Sequence, residues 1–373
     1  MTAWPIRNPM LKVLLFMLCA LPPVARSEAP APVEDWQAII RSAPYWSSQG
    51  VFSNILDIRR WVLEESAYCS DSDRHLLFGH RGQFIGYISD GKTSAETQQK
   101  LNQQREKLAR QGRATGWTPG DANTTGYPFA LGCDQPHARL NEALDRYLGK
   151  APADRLWGRW DDLDFASQDG PGNLHEALTY VYETRRQQQR LSLPAELPRY
   201  LAGMLLIESG GQTRAHSAAG ARGIMQLMPV VLRDCGVAER NHWHRLAQLD
   251  CAMKLMNHNA RVLEPVINKH FQQLPEGKRQ RLFTLLLIQA YHGGAARIGR
   301  LMENEDLRGP ARYFAKHHER FSAGDIAFGM VFHNLGRDRL GLASLYYVAD
   351  VELATQVLCN QPALAQTPFC QTP

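Results

Sequence analysis

The chain has 373 residues, 44% of them apolar and 21% charged, the composition of a globular protein with one large or two ordinary cores. Its formal charge of +5 is small, and no long lysine/arginine stripe occurs. Nucleic-acid binding is therefore not expected.

In residues 1–27, Arg7 and Lys12 accompany an apolar run, Val13 to Ala25, which closes on Ala25-Arg26-Ser27. This is the pattern of a cleaved export signal. The run is shorter than the about 20 apolar residues of a bilayer span, so no stable membrane span is expected. Cys19 follows Leu18 rather than a small residue, which argues against a lipid anchor. Cleavage would lower the charge from +5 to +2 by removing Arg7, Lys12 and Arg26. The expected location is the periplasm, or outside the cell.

Six cysteines remain: Cys69, Cys133, Cys235, Cys251, Cys359 and Cys370. An even number in an exported chain points to disulfides. Of the possible pairings the sequence-local set is favoured: 69–133, 235–251 and 359–370. No C-x-x-C or H-x-x-x-H spacing occurs among them, so no metal site is expected. The pairs His242/His244 and His317/His318 do not share a helix face. No cofactor is implied.

After the short linker Ala29-Pro30-Ala31-Pro32, the span Trp36 to Glu65 is helical by periodicity. Its core candidates are Ile39, Ile40, Val51, Ile55, Ile58, Trp61 and Val62. His75 to Ser89 predicts a small hairpin about Gly79-His80-Arg81-Gly82. Ser94 to Gln111 predicts a solvated helix with almost no apolar face, and Trp117 to Cys133 a loop. Leu140–Leu148 and Leu174–Gln189 are helical again. Trp157 and Trp160, beside Asp161, Asp162 and Asp164, have the chemistry to stack on sugars and bind hydroxyls. The commoner role for such a group is half-buried aromatics flanked by surface acids. Beyond the turn near Gln187–Pro194, helices are expected at about 195–209, 229–235, 245–271, 279–291, 309–320 and 339–359.

The most informative stretch is Leu201 to Pro229, LAGMLLIESGGQTRAHSAAGARGIMQLMP. Tyr200, Leu201, Met204, Leu205 and Ile207 make a helix that is apolar around much of its circumference and therefore buried. It delivers one carboxylate, Glu208, at its C-terminal turn, just before Ser209-Gly210-Gly211. Desolvation and the negative end of the helix dipole both disfavour ionisation there. A carboxylic acid protonated near neutral pH is what a general acid for a glycosidic oxygen requires. Alone, the same residue is equally a helix cap or a salt-bridge partner.

E-S-G-G followed by S-A-A-G-A-R-G-I-M-Q-L-M-P resembles the signature of the soluble lytic transglycosylase (SLT) domain, a relative of goose-type lysozyme. Its catalytic Glu, the Ser nine residues on and its G-[LI]-M-Q-x-M-P segment correspond to Glu208, Ser217 and Gly223 to Pro229. Gln289-Ala290-Tyr291-His292-Gly293-Gly294 resembles its A-Y-N-x-G motif, with His292 in place of Asn. Tyr346-Tyr347-Val348 resembles its late Tyr-Val; Tyr347 is the chosen match, with Tyr346 and Tyr313 as the other candidates. The resemblance covers about residues 195–355.

It implies a lysozyme-like all-α catalytic domain, residues 191–373; with the chain-order reading of 28–190 as a mainly helical accessory region with a minor β element, the expected fold is mostly α. It also implies cleavage of the MurNAc-β-1,4-GlcNAc bond of peptidoglycan glycan strands without water, forming 1,6-anhydro-MurNAc, with Glu208 as acid and then base. Ser217, Gln226, Met228, Tyr291 and His292 would line the sugar subsites, and Tyr347 would hold or polarise Glu208. For Met225 and Met228 the competing role is core packing, and Arg222 is expected at the surface of its turn. Ordinary glycosidases need two flanking acids; from Ala195 to Arg233 the only acids are Glu196 and Glu208. The rival readings are a hydrolytic muramidase on the same fold and a catalytically weak wall-binding or secretion-associated scaffold. Residues 28–190 would place the enzyme on the wall, contact a cell-envelope partner or cover the cleft.

Overall fold

Twelve α-helices and five short strands form the described part of the chain, which a computed structural model defines at residues 50–63, 74–78, 84–89, 91–112, 130–132 and 139–371. The expected export signal, the expected 29–32 linker, the start of the first helical span, the expected turn at 79–82, most of the expected 117–133 loop and the expected 69–133 pairing fall outside those residues. Among the described residues no helix is long and apolar enough to cross a membrane.

The centre of the fold is the Leu282 to Ala290 part of α8 (Glu276–Gly293), which is mostly apolar and buried on every side. Such a helix has no face to offer water and must be enclosed. It is packed by α5 (Leu197–Ser209), α7 (Arg245–Phe271), α9 (Ala295–Glu303), α11 (Ala323–Phe332) and α12 (Leu342–Cys359). The helix α6 (Pro229–Asp234) sits on α7, and α10 (Gly309–Lys316) on α9 and α11. Helix α9 and the wholly buried α11 are additions to the expected set; α11 is too short and too uniformly apolar to show a period.

The first half of the chain contributes directly to this core. Helix α1 (Val51–Leu63) packs on α11 and α12 and buries Val51, Phe52, Ile55 and Leu63. Its first turn is capped from a distance: the Phe52 amide donates to Asp325 Oδ1 at 3.1 Å. Asp325 is also the acidic member of the Ser322/Asp325 capping box that starts α11. Two turns further along α1, Arg59 is 0% exposed and forms a two-pronged pair with Asp350 of α12, at 2.6 and 2.8 Å. The Arg59 guanidinium also lies over the Tyr346 ring at 5.1 Å.

Strands β1 (Arg74–Phe78) and β2 (Phe84–Ser89) form the expected antiparallel hairpin, and β3 (Ala130–Gly132) pairs on the other side of β1. β3 falls inside the expected loop; three residues are too few to show alternation. Helix α2 (Ser94–Arg110) covers β2 and buries Leu101 and Leu108, so the helix read as solvated does have a narrow apolar seam. Helices α3 (Leu140–Tyr147) and α4 (Leu174–Gln187) both contact α5, and α4 begins with an Asn173/Glu176 capping box. Between them β4 (Gly158–Trp160) and β5 (Leu163–Phe165) make a second hairpin, turning through Asp161 at φ 53°.

Two of the expected disulfides are present, Cys235–Cys251 and Cys359–Cys370. The first ties the end of α6 to α7 directly below the Leu201–Pro229 stretch. The second closes the C-terminal segment onto the end of α12 and brings Phe369 against Tyr182 of α4, at 5.5 Å between ring centroids.

Candidate active site

Helix α5 enters with Pro198 in its first turn and ends where Gly210 turns left-handed, φ 59°. Glu208 is therefore in the last turn, and the chain reverses immediately behind it. Three contacts hold that reversal. The buried Ser209 hydroxyl donates to the Ile224 carbonyl at 2.7 Å and accepts from the Gly211 amide at 3.1 Å. From α3, Arg146 Nε donates to the Gly210 carbonyl at 2.6 Å.

The small-residue turn that follows is closed by its own main chain. The Ser217 amide donates to the Ala221 carbonyl, the Gly223 amide to the Ala215 carbonyl, and Arg222 and Leu227 exchange both bonds, all at 2.8–3.0 Å. Ser217 Oγ accepts from the Ala221 amide at 3.0 Å, so the hydroxyl is committed to its own turn. Gly223 has φ +75°, and a Cβ there would lie 2.5 Å from the side chain of Gln248. That glutamine, wholly buried in α7, donates to the Arg222 and His242 carbonyls and accepts from the Met225 amide. Glycine is required at 223 both for conformation and for this close approach. Gln226, at φ 46°, donates to the Gly223 carbonyl at 3.0 Å.

Met225 is buried in the core, whereas Met228 is 40% exposed. The two methionines thus separate, and of the pair Met228 is the exposed one. Arg222 differs from the surface role expected of it: it is half-buried, bonds His242 Nδ1 at 2.9 Å and lies near the Trp243 ring.

The opposite wall comes from α12 and the end of α8. Helix α12 packs antiparallel along α5 at Gly203, where a Cβ would lie 2.2 Å from Thr355 Oγ1 and 2.7 Å from the Val351 carbonyl. This backbone-close crossing brings Tyr347, one turn before Val351, level with Glu208, one and a half turns after Gly203. The Tyr347 hydroxyl donates to Glu208 Oε1 at 2.6 Å. Of the three tyrosines considered for the late motif, Tyr347 is the one that meets the acid. Tyr291 and His292, adjacent in the last turn of α8, diverge: the Tyr291 hydroxyl donates to the Met225 carbonyl at 2.7 Å. The His292 ring stacks on the Tyr347 ring, with centroids 4.6 Å apart and planes 23° apart.

Desolvation raises the Glu208 carboxyl to about 7, and the hydrogen bond from Tyr347 works in the opposite direction. Burial, with the Glu208 charge behind it, pushes Tyr291 and Tyr347 well above the usual phenol range, so both are neutral donors. His292 is exposed on its outer side, and desolvation against its neighbours, with the Arg297 guanidinium behind it, holds the imidazole below its usual value. No second carboxylate contributes to the Glu208 environment among the described residues. Glu196 lies at the other end of α5, roughly 18 Å away at the rise of an α-helix. There it pairs with Arg281. Asp250 is buried between Arg185, Lys254 and the Trp160 indole N–H. Asp234 is exposed at the end of α6.

The Trp157–Asp164 group divides in the same way. Arg185 donates a hydrogen bond to Asp162 and holds its carboxyl below the usual range, and the Trp160 ring lies beside His244. Of the two tryptophans, Trp157 is the exposed one, at 48%. The sequence reading passed over Ser209, Gln248 and Arg146. Gln248 was open to detection, as a polar residue flanked by Ala247 and Leu249 in a helix otherwise buried there. Arg146 carried no local signal.

The expected residues therefore gather in two groups, Ser217–Gln226–Met228 on the reversal after α5, and Tyr291–His292–Tyr347 opposite it, with Glu208 bonded to the second. Among the described residues no cluster of three or more His, Cys, Asp or Glu suits a metal ion. Comparison with curated proteins gives no match. Residues 186–314 match the family model of the transglycosylase SLT domain: the chain carries this lysozyme-like, peptidoglycan-acting domain of the lytic transglycosylase type.

Proposed function

We propose that the protein is an exported peptidoglycan lytic transglycosylase, a carbon–oxygen lyase in which Glu208 is the only catalytic carboxyl group. The observation that carries this reading is the isolated Glu208–Tyr347 pair: one carboxyl raised to about 7, one phenol donor at 2.6 Å, and no second acid in its surroundings among the described residues.

A carboxyl with that value is poised both to give and to take a proton at neutral pH. Protonated Glu208 delivers its proton to the glycosidic oxygen as the bond to muramoyl C1 breaks, and positive charge develops on C1 and the ring oxygen. The Glu208 carboxylate then accepts the proton of the muramoyl 6-hydroxyl, whose oxygen bonds to C1 and closes the 1,6-anhydro ring. Proton and electron pair balance, Glu208 is regenerated protonated, and water is not consumed. Tyr347, neutral and fixed, stabilises the carboxylate between the two transfers without taking part in either. Exposed Met228, with Ser217 and Gln226 on the same segment, would face the sugar on the other side. The Cys235–Cys251 and Cys359–Cys370 bonds support an oxidising compartment, in line with export to the periplasm or beyond.

The test is mass spectrometry of muropeptides released from purified sacculi by the mature protein. Anhydro-muramic acid ends are the expected product, and Glu208→Gln should release none. Reducing muramic acid ends would overturn the proposal in favour of hydrolysis. Unchanged solubilisation by the Glu208→Gln protein would remove Glu208 from the chemistry.

A further inference from the structure

The proposed chemistry needs the Tyr347 hydroxyl to stay on Glu208 while the carboxyl changes charge twice. Packing of α12 on α5 fixes the Tyr347 backbone, but the phenol still has two side-chain torsions. Its ring face is covered by His292, the residue that stands where the family motif has Asn. The two rings are near-parallel with centroids 4.6 Å apart. His292 comes from the last turn of α8, and its neighbour Tyr291 is bonded to the Met225 carbonyl on the other wall. The end of α8 is thus tied to both sides of the site, and His292 is the side chain it extends to Tyr347.

We infer that His292 is a positioning residue, which holds the Tyr347 phenol against Glu208 by ring stacking. This rests on the transglycosylase reading only for its catalytic consequence; the effect on Glu208 itself does not depend on turnover. An Asn at 292 offers amide hydrogen bonds but no ring face, so the substitution exchanges a polar contact for a stacked one. The groups facing the pair are Glu208 from α5, Tyr291 from α8, Tyr347 from α12 and Arg297 from α9. His292 is exposed on the side away from Tyr347, and desolvation on its inner side together with Arg297 favours neutral imidazole, so the stack brings no cation to the phenol near neutral pH.

The experiment compares His292→Ala, His292→Asn and His292→Phe with wild type, Tyr347→Phe and the double variant Tyr347→Phe/His292→Ala. Carbon-13 NMR titration of the Glu208 carboxyl is read first, without substrate. Loss of a fixed Tyr347 donor should raise the Glu208 pKa in the Ala and Asn variants, part of the way to its value in Tyr347→Phe. Phe, which keeps a ring, should restore it. On soluble glycan strands, kcat should fall by about 3- to 10-fold in the Ala and Asn variants with KM little changed. The His292→Ala change should add nothing in the Tyr347→Phe background.

An unchanged Glu208 titration, additive effects, or a raised KM at constant kcat would each overturn the inference; the last would make His292 a direct sugar contact. A wild type that releases no anhydro ends overturns the proposed function instead, and the titration still decides the role of His292. Where the Ala variant fails to fold, the comparison of Asn with Phe carries the test.

Discussion

The two walls of the site are built by different means. The Glu208 wall is one contiguous segment, Leu197 to Asp234, held by a left-handed glycine, main-chain bonds within the turn, and the buried Ser209 and Gln248. The Tyr347 wall joins residues far apart in the chain. His292 and Tyr347 stack across two helices, Gly203 allows α12 to approach α5, and Arg59 of α1 is buried against Asp350 one turn beyond Tyr347. The family match, 186–314, includes the whole first wall and His292 but stops short of Tyr347. The chemistry of the acid thus belongs to a local motif, while its fine adjustment is assembled from the flanks.

The sharpest way to break this comparison is Glu208→Gln. Loss of a general acid should lower turnover by about 10²- to 10⁴-fold, while the fold survives. Stability should move the other way. The folded-state pKa, about 7, is raised above the ordinary value of 4.5, so ionisation costs folding energy as pH rises between those values and the cost then stays constant. At pH 8 the variant should exceed wild type by about 1–3 kcal/mol, with the difference absent near pH 4. Chemical denaturation at the two pH values checks this, and an equal difference at both would contradict a raised Glu208 pKa.

Arg59→Met attacks the second wall from behind. It leaves Asp350 charged and buried, at a cost of about 3–5 kcal/mol, and the midpoint of denaturation should drop accordingly. The double change Arg59→Met/Asp350→Leu should recover much of the loss. If the single change costs nothing, α1 does not support α12. Replacing Cys235 and Cys251 with serine opens a 16-residue loop beneath the first wall, worth roughly 3 kcal/mol by chain entropy. It should lower the melting temperature while leaving the Glu208 titration in place.

The smallest expected effect is the most specific one. Tyr347→Phe removes the hydrogen bond that favours ionised Glu208, so the carboxyl pKa should rise by about one unit. Because the acid must be protonated to act, activity falls as pH rises through its pKa, and the basic limb of the rate profile should move to higher pH. A limb that stayed in place or moved down would show that Tyr347 does not tune the acid.

Much of this was open to sequence reading, for identifiable reasons. The helix ending at Ser209 follows from unbroken apolar positions and two glycines, and the raised Glu208 pKa from burial. The hairpin 74–89 showed as two apolar runs about a glycine turn. What escaped was short or non-local. β3 and the β4–β5 hairpin have three-residue strands. Helix α11 is uniformly apolar, and the seam of α2 is only two leucines wide. Arg222 looked like a turn residue because its partners, His242 and Trp243, are twenty residues on.

By itself, then, the sequence determined that a carboxyl, Glu208, ends a buried helix, that a glycine turn follows it, and that it stands apart from the other carboxyl of α5, Glu196. Each depends on neighbours within a few residues, where periodicity and glycine placement are physically binding. Only the tertiary structure decided which of the candidate tyrosines meets Glu208, that the His292 ring stacks on that tyrosine, and that residues before 190 enter the core beside α12. Those choices depend on how closely two helices approach and what fills the space between them, and a linear pattern carries no such distance.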